Sequence, residues 1–419
     1  MAGPMDSERF YLGSRVWYAI CWSCMITVNL VFMVQVAGLD PLQMVLVGTV
    51  LELSVFVFEV PTGVVADVVS RRLSVIIGHA IMGLGFGMIV IWPSFEMILL
   101  SQVIWGFGYT FISGAYAAWL TSEIGVDRAN ATFLRGSQLG HLASFFGIVA
   151  AVALAHLSLA VPIAVGSAGL VVLAVAMAVW MREDNFSRAA GADRDSFAAM
   201  AETFKSGVGE IRGRPVLWLM FAITMVYGMF SEGIDRLFTP YLLEDFVFPD
   251  LGPLQPVTWW GIIAAVSSLL GYASTTYARR RVKLEDGGTL TRALAGCLLA
   301  ISLLVLLLAS ISGFVAVLVC YWLIGALRSV YGPLMTAWLN RLLPEASRAT
   351  LFSMFGQADA LGQTFGGPII GGLAKLLSIS FALGVSALSL LPTLPLFRRL
   401  AVDLAADSAD RFDSDTGRS

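Results

Sequence analysis

The chain has 419 residues, of which 58% are hydrophobic and only 13% charged, with a formal net charge of −3. Water-soluble domains carry roughly 25% charged residues, so an ordinary soluble protein is excluded, and nothing in the charge calls for a nucleic-acid partner. Runs of about 20 apolar residues cross a hydrocarbon core of about 30 Å only as helices, because each backbone polar group must be satisfied within its own segment.

Twelve such spans are expected, near residues 16–36, 42–66, 73–92, 96–120, 133–155, 161–180, 216–242, 257–277, 293–309, 314–339, 350–374 and 378–397. The polar first ten residues lead into an apolar run too long for a signal peptide and without a small-residue cleavage site, so no cleaved leader is expected. The first span carries Asn29, Gln35 and a C-x-x-C at Cys21 and Cys24. A redox reading of that motif needs a thioredoxin-like context, so these two read, with Cys297 and Cys320, as small packing residues. The second span carries Glu52 and Glu59 on one face, about two turns apart. Pro61, just after Glu59, is expected to disturb the helix and free a carbonyl. An ionisable residue inside a membrane is a functional candidate by default, and each acid reads equally as a proton carrier or as a structural acceptor. The fourth span shows a polar and aromatic stripe at helical spacing: Gln102, Trp105, Gly106, Tyr109, Ser113 and Tyr116. His79, His141 and His156 make no metal set, and His141 is the one placed deep in a span, where titration matters.

Between the sixth and seventh spans lies the longest polar interval, residues 182–215, in which Asp195–Phe204 reads as an amphipathic helix on the membrane surface. The seventh span carries Glu232, Asp235 and Arg236. Glu232 and Arg236 have the spacing and order of a local ion pair. Asp235 falls on another face, as a cavity residue or an acid at the outer boundary. The tenth span carries Tyr321, Gly325, Arg328 and Gly332 along one face, and the eleventh carries Asp359. Arg328 lies about 16 Å along its helix from Leu339, and Asp359 about 14 Å from Thr350, at about 1.5 Å per residue. Equal depth on consecutive helices predicts an Arg328–Asp359 ion pair, either a switch released by protonating Asp359 or a permanently closed structural pair. Residues 401–419 are polar and acidic and are expected to be disordered.

Of the 26 lysines and arginines, all except Lys375, Arg236 and Arg328 fall on one side of this plan. Positive residues stay cytoplasmic, which places both termini inside and favours an even number of spans. The halves repeat in sequence. Gly114-Ala-Tyr-Ala-Ala-Trp119-Leu120, then Arg128 and Gln138, matches Gly332-Pro-Leu-Met-Thr-Ala-Trp338-Leu339, then Arg348 and Gln357. A repeat at a six-helix offset means a parallel duplication about an axis along the membrane normal. Its parts are residues 1–181 and 216–400, joined by the central loop.

Between the second and third spans stands Glu59-Val-Pro-Thr-Gly63-Val-Val-Ala-Asp67-Val-Val-Ser-Arg71-Arg72. With the repeat, this loop resembles the major facilitator superfamily, whose loop pattern is roughly G-x-x-x-D-R-x-G-R-R/K. Val68 replaces the first arginine of that pattern and Ser70 its glycine. The resemblance implies an all-α integral membrane fold of twelve transmembrane helices in two six-helix halves, with a substrate cavity lined by the first, fourth, seventh and tenth helices. It implies a cytoplasmic latch made of Gly63, Asp67, Arg71, Arg72 and Glu123. Gly63 would admit a close helix, Asp67 would face the start of the eleventh helix near Thr350, and Glu123 would pair with Arg71 or Arg72. The bland alternative is plain topogenic arginines beside a solvated aspartate.

Phe58–Asp67 with Ser70–Gly78, Ser231–Arg236 and Ala337–Asn340 further resemble the macrolide and tetracycline efflux branch of the drug:proton antiporters. That resemblance implies export of a drug-like cation or zwitterion against inward proton flow in a bacterial cytoplasmic membrane. Asn29, Gln35, Gln102, Trp105, Tyr109, Ser113 and Tyr321 are then substrate-cavity candidates, and Asp359, Arg328, Glu59, Glu52 and Asp235 proton-coupling candidates. A cavity of aromatics with few polar anchors suits a bulky amphipathic ligand better than a sugar. Two departures stand out. Gln102 replaces the arginine expected four residues before Gly106, and the G-P-x-x-G-G element of the fifth helix appears instead in the eleventh, at Gly367–Gly372. No phosphate loop or nucleophile elbow is present, so the chain is expected to be neither an enzyme nor an ATP-driven pump and to need no cofactor beyond the proton gradient. Its expected partners are an amphipathic small molecule, protons and lipid, and it is expected to act as a monomer. A metabolite transporter on the same fold, or a membrane receptor, are the alternatives.

Overall fold

A computed structural model describes residues 6–186, 205, 208–209, 211–252, 254–281, 287–343 and 348–400. The amphipathic stretch Asp195–Phe204 and the acidic tail lie outside these residues. In chain order the helices are α1 (Ser7–Gln35), α2 (Pro41–Val68), α3 (Arg71–Ile91), α4 (Phe95–Ile112), α5 (Ala115–Ile124), α6 (Val126–Ala155), α7 (Ala160–Trp180), α8 (Pro215–Asp245), α9 (Thr258–Arg281), α10 (Gly287–Leu308), α11 (Phe314–Leu342), α12 (Arg348–Leu376) and α13 (Ile379–Ser389). The fold is all-α, and α4 with α5 forms one crossing, so the helices trace twelve spans in two halves.

Local chemistry starts these helices where the sequence places polar residues. Asp40 caps α2 in a reciprocal box: its Oδ1 accepts from Gln43 N at 2.9 Å, while Gln43 Oε1 accepts from Asp40 N at 3.0 Å. Pro41 opens the helix at a position where its missing N–H costs nothing. Ser70, Ser94 and Ser378 cap α3, α4 and α13, each hydroxyl accepting from the backbone N–H three residues on. Among the described residues, ten helical segments are long and apolar enough to cross a membrane by themselves. Helices α9 and α12 are as long, at 24 and 29 residues, but more polar. Large side chains such as Leu134, Leu142, Phe146, Leu269, Val315 and Phe365 are exposed. A belt of this kind is intolerable in water and suits lipid. The chain is therefore a multi-pass membrane protein.

Two expectations are corrected here. The fourth span is not one helix: it breaks at Ser113 and Gly114, where Gly114 takes φ 72°. A second left-handed glycine, Gly125 at φ 84°, is the whole connection between α5 and α6. Only glycine adopts such angles without strain. Conversely, α2 runs unbroken through Pro61. Thr62 Oγ1, one residue on, donates to Phe58 O at 2.8 Å and Glu59 O at 3.3 Å, so side-chain bonding supports the backbone around the proline.

By packing, the chain forms two units, residues 1–198 with 248–265, and residues 199–247 with 266–419. In the first, α1 packs on α6 and α7, and α3 and α4 lie side by side, around a core that includes Met25, Phe32, Met82 and Phe86. The segment after α8 belongs to this unit: Gln255 Nε2 donates to His156 O at 3.5 Å, and Thr258 Oγ1 meets His156 Nε2 at 3.4 Å. In the second unit, α8 crosses α12, and α11 packs on α10. The repeat is visible in the core of each unit. Trp119 and Trp338 are both 1% exposed. Trp119 Nε1 donates to Arg182 O at 2.5 Å, just beyond α7, and Trp338 stacks on Phe397, just beyond α13. Each tryptophan thus seats the end of the sixth span of its own half.

Candidate functional site

The first unit holds its polar groups between α2 and the α4–α5 break. The carboxylate of Glu59 accepts from Ser113 Oγ at 3.0 Å, and its other oxygen, Oε2, is buried without a hydrogen-bond partner among the described residues. Ser113 is available because the helix ends there, so the missed break is what delivers the hydroxyl. Ser54 Oγ donates to Val103 O at 2.8 Å and fixes α2 against α4 one turn earlier. Tyr109 is 45% exposed and interacts with Glu59, Glu52 and Ser113. Trp105 is half-buried and packs on Trp22 and Phe86, with centroids 5.4 and 4.9 Å apart. Tyr18 stacks on Trp22, and the Arg15 guanidinium lies over the Tyr18 ring at 5.5 Å. Two cavity candidates do not line open space: among the described residues Gln102 is fully buried with both amide atoms unpartnered, and Asn29 is buried with Oδ1 unpartnered. Gln35 is exposed at the last turn of α1.

The histidines differ in burial. His141 is exposed, whereas His79 is 2% exposed, with Nδ1 2.8 Å from Val75 O and its edge toward Tyr18 and Tyr116. Tyr116 is hydrogen-bonded to Ser14. Counting depth along a helix could not show which face turns inward.

The loop motif forms a different set of contacts from the one expected. Arg71 pairs with Asp67 at 3.6 Å and donates to Ser122 Oγ at 2.5 Å. Arg72 donates to Ala178 O at 2.6 Å and Met181 O at 2.7 Å, the free carbonyls where α7 ends. Glu183, just past them, accepts from Ser70 Oγ and from Arg72 N at 3.0 Å, at the start of α3. Glu123 accepts from Asn185 N at 2.9 Å rather than from either arginine. The reason is geometric: Arg72 lies against the end of α7, and Ser122, one residue before Glu123, fills the fork of Arg71. Gly63 meets no close neighbour, as a methyl group built there would find nothing within 4 Å.

In the second unit the expected Arg328–Asp359 pair is replaced by Arg328–Asp235. The guanidinium grips Asp235 with both Nη atoms, at 2.6 and 2.7 Å, and Nε donates to Tyr227 Oη at 3.3 Å. Such a bidentate fork is the strongest geometry open to arginine. Asp235 is thus not a bare boundary acid. Glu232, buried, and Arg236, partly buried, form the local pair expected from spacing, at 3.2 Å. Asp359 accepts from Gln363 Nε2 at 2.9 Å. Its backbone is held where α12 crosses α8: Gly228 leaves room for Asp359 O, and Gly362 for Met225 O. The close crossing fixes the Asp359 backbone against α8. Tyr321 stacks flat on Phe238 with centroids 3.6 Å apart, beside the pair. Sequence reasoning missed Tyr227 and Tyr331, whose rings stack at 4.6 Å within this cluster. Tyr331 stands three residues after Arg328, a helical spacing that was there to be read.

Comparisons with known proteins agree with this architecture. A family model described as Major Facilitator Superfamily matches residues 14–307. The chain is similar to the Uncharacterized MFS-type transporter YxaM of Bacillus subtilis (strain 168), with 25% identity over 358 residues, 83% of each chain. Its structure is similar to that of the nucleoside transporter NupG, with a TM-score of 0.75 at 13% identity over 94% of this chain and 99% of that one. It is also similar to the peptide transporter POT in complex with sulfate, with a TM-score of 0.68 at 14% identity over 94% and 95% of the two chains. At these identities the likeness to solved structures is one of fold.

Proposed function

The chain belongs to the Major Facilitator Superfamily, and from that premise we propose that it is a proton-coupled exporter of amphipathic drug-like molecules such as tetracyclines or macrolides. We place it in a bacterial cytoplasmic membrane with both termini inside. The observation that carries this reading is the Glu59 carboxylate: it lies within the span, one oxygen accepts from Ser113, and the other is buried and, among the described residues, unpartnered. A buried carboxylate left in that state is costly when charged, so uptake of a proton is its natural response. The half-exposed Tyr109 and the Trp22–Trp105 wall beside it suit a bulky aromatic or cationic ligand. In this reading Asp359 is the corresponding acid of the second unit, and Asp67 with Arg71 closes the cytoplasmic side.

Cells expressing the protein should accumulate less tetracycline than controls, and a protonophore should abolish the difference while ATP is maintained. Exclusion that survives the protonophore and stops on ATP depletion would overturn the proposal. A second reading is transport of a polar metabolite. The Arg328–Asp235 fork favours it, because a guanidinium recognises carboxylates and phosphates by the same two-point geometry. Ligand-induced thermal stabilisation across drugs and anionic metabolites separates the two readings.

A further inference from the structure

Three successive side-chain contacts join α8 to α11. Tyr227 of α8 stacks on Tyr331 of α11, with centroids 4.6 Å and planes 25° apart. Asp235 takes both Nη atoms of Arg328, at 2.6 and 2.7 Å. Phe238 stacks on Tyr321, with centroids 3.6 Å and planes 6° apart. The residue numbers rise along α8 and fall along α11, so the helices run antiparallel, and on each helix the three residues share one face. An ion pair is thus held between two ring stacks. Arg328 is the middle residue of α11, Phe314–Leu342, so the pair lies deep in the span.

Depth and exposure pull in opposite directions. The Asp235 side chain is 50% exposed and that of Arg328 24%. A charge turned toward hydrocarbon is costly, and charged residues within a membrane face protein or water. The exposed flank of the pair therefore meets water. Neither partner is spent. A carboxylate offers about four lone-pair positions and a guanidinium about five N–H donors. The fork uses two of each, and Arg328 Nε gives one more to Tyr227 at 3.3 Å. What remains is an outer edge with acceptors on Asp235 and donors on Arg328, next to the flat Tyr321–Phe238 stack. The edge as a whole is neutral. A lone cation gains from Asp235 and loses to Arg328, and a lone anion does the reverse, whereas a molecule carrying both charges gains from each.

We propose that this edge is a subsite for a planar aromatic zwitterion. The ammonium of the ligand takes the remaining lone pairs of Asp235, its anionic oxygen takes the remaining N–H groups of Arg328, and its ring system lies against Tyr321. The fork stays closed while the ligand is bound. Asp235 is then a specificity residue that meets the charge of the ligand, and not a carrier of protons. The subsite names the charge type of the cargo in the exporter reading, and it rests on that reading for the claim that the ligand is carried.

The test is calorimetric titration of the full chain in detergent with three ligands that share one ring system. Ciprofloxacin carries both charges, its methyl ester keeps only the cation, and its N-acetyl derivative keeps only the anion. The zwitterion should bind about tenfold tighter than either derivative, the worth of one charged hydrogen bond. This comparison is made on the wild-type protein and needs no variant to fold. The double variant Asp235→Asn with Arg328→Gln, which strands no charge, should bind all three alike. Tyr321→Leu should weaken all three and keep their order. Wild-type protein that binds either derivative as tightly as the zwitterion, or binds none of the three, overturns the subsite, and so does a preference that survives in the double variant. If that happens while tetracycline exclusion remains sensitive to protonophore, the subsite alone falls. A preference for the zwitterion without any exclusion in cells overturns the exporter reading alone.

Discussion

The two units share a repeat but treat the acids within their spans in opposite ways. In the first, Glu59 has a serine for company and one buried carboxylate oxygen with no partner among the described residues. In the second, Asp235 has a bidentate arginine and Asp359 stands beside them with an amide. An acid without a counter-charge is free to titrate and contributes little to folding. An acid holding an arginine is committed, because removing either partner strands a charge in the membrane. The duplication has thus kept the scaffold, seen in Trp119 and Trp338, and divided the chemistry.

That division fixes the order of mutational effects. The largest is expected for Asp235→Asn, which leaves Arg328 without its counter-charge. Breaking a fully buried pair costs about 3–5 kcal/mol, and the loss here should fall below that, because the Asp235 side chain is 50% exposed. Thermal melting in detergent should show a clear drop, and the double variant Asp235→Asn with Arg328→Gln should recover most of it. By contrast, Asp359→Asn should melt close to wild type, since an amide can still bond Gln363. If Asp359→Asn proves the more damaging of the two, the comparison fails.

Next comes Glu59→Gln. The amide keeps an acceptor for Ser113, so the protein should fold, but export driven by a pH gradient should fall by roughly tenfold or more, as is typical when a proton-transferring group is lost. Downhill exchange of the same compound should be spared. Equal loss of both would make Glu59 a structural acceptor and erase the contrast between the units. The smallest effect separates the two tryptophans. Trp119→Phe leaves the Arg182 carbonyl without its donor, whereas Trp338 Nε1 has no partner among the described residues to lose. Trp119→Phe should therefore cost about 1 kcal/mol more than Trp338→Phe in paired unfolding measurements. Equal costs would mean that the hydrogen bond adds nothing to the seat.

How much of this could be read beforehand depended on whether it was written along one helix or between helices. The spans, the arginine asymmetry and the repeat are one-dimensional patterns, and they led directly to the fold. The Glu232–Arg236 pair was equally legible, because a spacing of four residues fixes depth and direction together. Arg328 was not. Its depth could be counted from Leu339, but which neighbour it faces depends on how α11 is turned about its own axis, and the nearer acid in azimuth proved to be Asp235. The burial of His79 was not legible for the same reason. The break at Ser113–Gly114 had a signal in two glycines, Gly114 and Gly125, flanking a ten-residue helix. Tyr331 offered only its spacing from Arg328 and Tyr227 offered nothing, since a tyrosine in an apolar run looks like packing until its hydroxyl is found beside a charge.

The crossing of α8 and α12 has a mechanical consequence. Gly228 and Gly362 bring the two backbones together with no side chains between them to change rotamer. Such a joint has no slack: it neither slides nor opens without separating main chain from main chain. Whatever bending accompanies transport must be taken up elsewhere in the unit, with α8 and α12 travelling as a single strut. Spin labels at the outward-facing Trp218 of α8 and Phe365 of α12 should keep one narrow distance distribution in every condition that drives the protein through its cycle.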